Sequence, residues 1–155
     1  MSNMDAIPDR YRYQTTEVEA LRELVGQSPA QFSLNLAICD DTSLRSLIVQ
    51  QIKAAYPEVE VATLWPYERD VFEQVHAASS RAPKDALFIA GLDDALSANI
   101  DRQALLHSLD ASVQRWKAWF ACPVVFWLDS LSADILRLQA PDFWEFQNNV
   151  YRLDA

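Results

Sequence analysis

The stretch FSLNLAICDDTSLRSLIVQQIKAAYP, residues 32–57, decides the fold. Phe32 to Cys39 alternates at first and then becomes continuously apolar, as a strand buried on both faces does. Asp40-Asp41-Thr42-Ser43 follows and supplies helix N-cap chemistry. From about Ser43 to Tyr56 the residues Leu44, Leu47, Ile48, Ile52 and Ala55 share one helical face, and Pro57 ends the run. Buried strand, tight turn and amphipathic helix together make the first half of a parallel crossover.

The same unit recurs downstream. Val59 to Trp65 alternates, with Val59, Val61, Thr63 and Trp65 on one side, and Pro66 closes it. A helix carrying Val71, Phe72, Val75 and His76 leads to a second buried strand, Ala86 to Ala90, from which Gly91-Leu92-Asp93-Asp94 turns away. From Asp101 the apolar positions Leu105, Leu109, Val113, Trp116 and Phe120 predict one continuous helix. Pro123 opens the strand VVFWL, Asp129 and Ser130 cap a helix bearing Leu131, Ile135, Leu136 and Leu138, and Pro141-Asp142-Phe143-Trp144 breaks it. Asn148 to Leu153 reads as a weaker last strand.

Upstream, the chain is polar to about Pro8 and is expected to be mobile there. Thr15-Thr16-Glu17 starts a helix with Val18, Leu21, Leu24 and Val25 on one face. Gly26 is expected to end it in a left-handed cap, and Ser28-Pro29-Ala30 reads as a linker. The expected organisation is therefore a tail, helix and linker over residues 1–30, then a single α/β domain over 31–155. Its architecture is a three-layer sandwich around a mostly parallel sheet of four to five strands, with right-handed crossovers.

Composition narrows the function. The 155 residues suffice for one domain. Thirteen basic and 22 acidic residues give a net charge of -9, which repels phosphate backbones, so neither nucleic acid nor an anionic membrane is an expected partner. No apolar run reaches the ~18 residues of a membrane span. Met1-Ser2-Asn3-Met4-Asp5 lacks a signal-peptide plan. The lone thiols Cys39 and Cys122 fit a reduced, cytoplasmic protein. With only His76 and His107 besides, no zinc-ligand spacing exists and no metal site is expected.

In an open α/β sheet, ligands gather at the carboxyl ends of the strands. A phosphate cradle there needs glycines and a lysine. The glycines are Gly26 and Gly91 and the lysines are Lys53, Lys84 and Lys117, none of them in the turn Cys39-Asp40-Asp41-Thr42-Ser43. Asp40 and Asp41 suit the helix dipole and would repel a triphosphate, so ATP binding is not expected and no cofactor is implied. Capping is the default reading of Asp40, Asp41 and Thr42. Asp93 and Asp94 stand where acids hold magnesium in phosphoryl-transfer sites, although turn chemistry explains them equally well. Cys39 precedes a helix, a position that activates thiols, while the adjacent aspartates oppose it. His76 and His107 lie inside helix patterns. Trp119, off the apolar stripe, and Trp144, between two phenylalanines, are candidate anchors for a protein partner.

Two families share such residues. LAICDDTSLRSLIVQQI resembles the opening strand, acidic pair and first helix of receiver domains, which would give Asp40 and Asp41 a magnesium role. The phosphoacceptor position at the end of the third strand is Ala90 here, and the lysine that the resemblance would place after the fifth strand is missing. More of the chain, from about Phe32 to Leu153, resembles the nucleotide-binding core of bacterial STAND-type signalling ATPases. The likeness rests on PVVFWL, on APDFW (Ala140 to Trp144) and on LFIAGLDDAL, whose Asp93 and Asp94 would occupy the Walker B-like position. The Walker A position is the degenerate turn from Cys39 to Ser43. This resemblance implies an inactive, P-loop-NTPase-like module that works through protein contacts in bacterial signalling or defence. A receiver-like regulatory domain with an atypical acceptor is the alternative.

Overall fold

The computed structural model describes residues 7–80 and 82–154. In chain order the elements are α1 (Thr15–Val25), β1 (Ser33–Ile38), α2 (Thr42–Ala55), β2 (Val59–Thr63), α3 (Val71–Ala78) and β3 (Ala86–Ala90). They continue with α4 (Leu92–Ala98), α5 (Arg102–Ala111), α6 (Val113–Trp119), β4 (Pro123–Leu128), α7 (Ser130–Gln139), α8 (Pro141–Phe146) and β5 (Asn149–Arg152). The strands form one sheet in the order β2-β3-β4-β1-β5, and every neighbouring pair is parallel. The polar start expected to be mobile lies, through residue 6, outside the described residues.

Alternate residues of each central strand feed opposite faces, which is why the strands read as unbroken apolar runs. Leu34, Leu36 and Ile38 of β1 and Val124, Phe126 and Leu128 of β4 join a core with α3 to α8. Ala37, Val125 and Trp127 join a second core with Val18 and Leu21 of α1 and Leu44, Ile48 and Ile52 of α2. The crossover through α2 carries the chain from β1 past β4 and β3 to the edge strand β2. The later connections step back the other way over the opposite face, as right-handed crossovers require.

Several sequence expectations change. The helix expected from Asp101 to Phe120 is two, because buried Ser112 turns its hydroxyl onto the Leu109 carbonyl at 3.1 Å and receives the Trp116 indole N–H at 3.0 Å. Such side-chain bonding competes with the helix ladder. The apolar stripe survives the break, with Leu105, Leu109, Trp116 and Phe120 all buried. Gly91 is not part of a loose turn. It takes φ 90° and starts α4, which puts Asp93 and Asp94 in that helix's first turn. Pro141 starts α8 rather than simply breaking α7. Gly26 ends α1 at φ -82°, so its cap is not left-handed; a Cβ there would lie 2.6 Å from the Tyr56 hydroxyl and would displace the end of that side chain.

On β2 only one of the four residues on the expected apolar side is used. Val59 is buried, whereas Val61, Thr63 and Trp65 are exposed at the sheet's edge. The Gln74 amide covers part of that edge: Nε2 donates to the Thr63 carbonyl at 3.0 Å and Oε1 accepts the Trp65 N–H at 3.1 Å. One side chain thus stands in for a neighbouring strand, which blunts the edge against further pairing.

Candidate functional site

The chain leaves β1 for α2 on one face of the sheet and leaves neighbouring β4 for α7 on the other. This is the topological switch point, where the crevice of an open α/β sheet lies. Around it stand the turn after β1, the first turn of α4, the start of α7 and the residues following β5.

Here the structure replaces an open cradle with a set of internal carboxylate contacts. Asp154 Oδ2 accepts the backbone N–H groups of Asp40 at 2.8 Å and Asp41 at 3.0 Å. Asp40 Oδ1 accepts the Ser130 N–H at 2.7 Å, and its Oδ2 accepts the Ser130 hydroxyl at 2.7 Å. Asp93 Oδ1 accepts the Asp129 N–H at 2.9 Å. Asp41 and Asp129 cap their own helices by accepting from Leu44 and Ser132. Three N–H donors at each of the two helix starts, those of Asp40, Asp41 and Leu44 and those of Asp129, Ser130 and Ser132, are thus engaged by the chain's own acids.

One cation ties this network together. Arg45, in the first turns of α2, places Nη1 2.9 Å from Asp93 Oδ2 and donates from Nη2 to the Cys39 carbonyl at 2.7 Å. Ser130 holds Asp40 below the usual carboxylate range, first through its backbone N–H and then through its hydroxyl, with Arg152 and Arg45 adding a smaller pull. Asp40 is therefore ionised, and it does not cap its own helix as the sequence suggested. It caps α7, across the sheet.

Cys39 is fully buried, and its thiol donates to the Asp41 carbonyl at 3.3 Å. Burial, followed by the Asp154 charge, pushes its pKa up to about 12, which leaves no thiolate for nucleophilic work near neutral pH. Asp94 is exposed on α4, and Thr42 and Ser43 are exposed at the start of α2. Among the described residues no group of three or more His, Cys, Asp or Glu side chains is arranged to hold a metal ion. His76 stacks on Phe72 and meets the edge of Trp119 at 4.1 Å, far in the fold from Asp40.

The tryptophans divide. Trp119 is 44% exposed and lines a hollow of about 590 Å³ with Phe120, Cys122 and Lys84, at the amino ends of the strands. This hollow is at the opposite end of the sheet from the crevice. Trp144 is half-buried against the core formed with α3 to α8. The neighbouring Phe143 sits edge-on to Phe126 at 5.2 Å, so APDFW builds core on this chain. Among the described residues no helix is long and apolar enough to cross a membrane.

Sequence reading brought Asp40, Asp41, Asp93, Asp129 and Ser130 to strand ends separately. It did not find Arg45 or Asp154. Arg45 carried a signal, a cation four residues after the N-cap of the helix that follows the first strand. Asp154 carried none, because its role depends on β5 docking beside β1. Comparison of the chain with protein-family models, with curated proteins and with solved structures finds no match.

Proposed function

We propose that the chain is a non-catalytic regulatory and protein-interaction module on a P-loop-NTPase-like scaffold, serving a bacterial signalling or defence system. The observation that supports this reading is the Asp154 carboxylate seated on the Asp40 and Asp41 N–H groups. An anion of the chain itself takes the place a phosphate would need, and ionised Asp40 beside it repels a second one. Arg45 is the cation of the turn, and it is bound to Asp93 and the Cys39 carbonyl rather than turned outward. The bacterial context and the STAND-like ancestry rest on the likeness of PVVFWL and APDFW alone.

Calorimetric titration of ATP and ADP with magnesium, together with a phosphate-release assay, tests the reading. No heat of binding at millimolar nucleotide and no release above background are expected. Micromolar affinity or measurable turnover would overturn it.

The receiver-like alternative draws less support. Receivers of the doubly wound type order their strands 2-1-3-4-5, whereas this sheet runs β2-β3-β4-β1-β5. The end of β3 carries Ala90, and Asp93 is held by Arg45 and Asp129. An aspartyl-phosphate mass shift after acetyl phosphate treatment would revive it.

A further inference from the structure

Among the leucines of the described residues, only Leu131 and Leu138 are exposed, at 68% and 69%. Both lie on α7, seven residues apart, so they fall within about 20° of one another around the helix. Ile135 stands between them, half-buried. The side of α7 that enters the core carries Ser132, Ala133 and Leu136 instead, so the helix has a second apolar stripe facing away from the protein.

The surroundings of that stripe are acidic. Leu131 is one residue from Ser130, which holds Asp40; α4 meets the start of α7 through Asp93, and the next residue of α4, Asp94, is exposed. Asp134 lies on the stripe's flank, paired at 3.3 Å with Arg137 on the solvent side, where such a pair contributes little. The carboxyl end of the sheet as a whole gathers Asp40, Asp41, Asp93, Asp94, Asp129 and Asp154 against Arg45 and Arg152. A second copy of the chain would bring the same acids and a net charge of -9 to the contact.

We propose that the outer face of α7 is a docking surface for a basic amphipathic helix of another protein. Apolar residues of the partner at helical spacing would pack on Leu131, Ile135 and Leu138, and its flanking Lys or Arg residues would meet Asp94 and Asp134. This names the partner class of the interaction module proposed above and rests on that reading.

The probe is a labelled synthetic peptide of leucine and lysine arranged as an amphipathic helix, with a scrambled peptide of identical composition as its control. Anisotropy titration is expected to give saturable binding that weakens with salt. The scrambled peptide and the exposed-site variant Leu131→Gln/Leu138→Gln should each bind at least about tenfold more weakly. Asp94→Asn/Asp134→Asn should weaken binding and flatten the salt dependence. Circular dichroism checks that the variants remain folded. Equal binding by the scrambled peptide, or by the leucine variant, would overturn the docking surface. The nucleotide titration is read separately: ATP turnover would remove the interaction-module reading whatever the peptide does, and a failed peptide titration alongside silent ATP assays would remove only the role of α7.

Discussion

Asp40 and Ser130, ninety positions apart, clasp each other across the ends of β1 and β4, one carboxylate oxygen taking the serine N–H and the other its hydroxyl, each at 2.7 Å. The contact caps α7 with a side chain from a different crossover. It joins the two helices that leave the switch point on opposite faces of the sheet.

That clasp has an acid limit. The folded-state pKa of Asp40 lies below the ordinary aspartate value of 3.8. Its stabilisation is therefore complete above that value and is lost as pH falls through the lower folded-state one. Asp40 is mostly exposed, so the effect is modest. Asp40→Asn should cost about 0.5–1 kcal/mol at pH 7. Its melting temperature should then fall less steeply than wild type on acidification below pH 3.8. Parallel thermal melts across that range decide it, and equal slopes would show that Asp40 does not carry the dependence.

Arg45 and Asp93 should behave as a coupled pair. Their side chains are only 17% and 20% exposed, between a surface ion pair and a buried one. Arg45→Met should cost about 2 kcal/mol, because it leaves Asp93 and the Cys39 carbonyl short of a donor. Adding Asp93→Asn should recover part of the loss, with a coupling of about 1 kcal/mol. Urea denaturation of the four proteins measures the cycle, and simple additivity would contradict the contact.

The fold was legible where one residue pattern had one physical meaning. Residues 32–57 announced β1 and α2 because alternating positions on β1 really do feed two cores. The stripe from Leu105 to Phe120 gave the right core face and the wrong element count, since periodicity does not register one buried serine bonding within its own helix. Asp40 was legible as a capping acid but not as the cap of α7. Its donor comes from the far side of a crossover, and the sheet order that brings Ser130 beside it is not written in either segment. Asp154 was illegible for the same reason.

Gly91→Ala tests the start of α4. Gly91 sits at φ 90°, and an added Cβ would lie 2.7 Å from the Leu64 carbonyl oxygen. Both the conformation and the contact oppose any side chain, so a loss of about 2–3 kcal/mol is expected. Gly26→Ala meets only the end of the Tyr56 side chain, which can move, and should cost less. Chemical denaturation of the two variants ranks them, and the reverse order would contradict the backbone geometry at Gly91.

The thiols should be silent in the native protein and audible at high pH. Burial raises the pKa of Cys39 to about 12 and that of Cys122 to about 11, from an ordinary value of 9.0. Ellman's reagent at pH 7.5 should therefore label neither thiol on the timescale on which it labels both in urea. A thiol that stays neutral in the fold but ionises when unfolded leaves stability intact below 9.0 and removes it as pH rises toward the folded value. Wild type should accordingly lose stability between pH 9 and 11, and Cys39→Ala, whatever its stability at pH 7, should lose less over that interval. Rapid native labelling traced to Cys39 by mass spectrometry would show an accessible thiolate, and with it the nucleophile that the crevice geometry argues against.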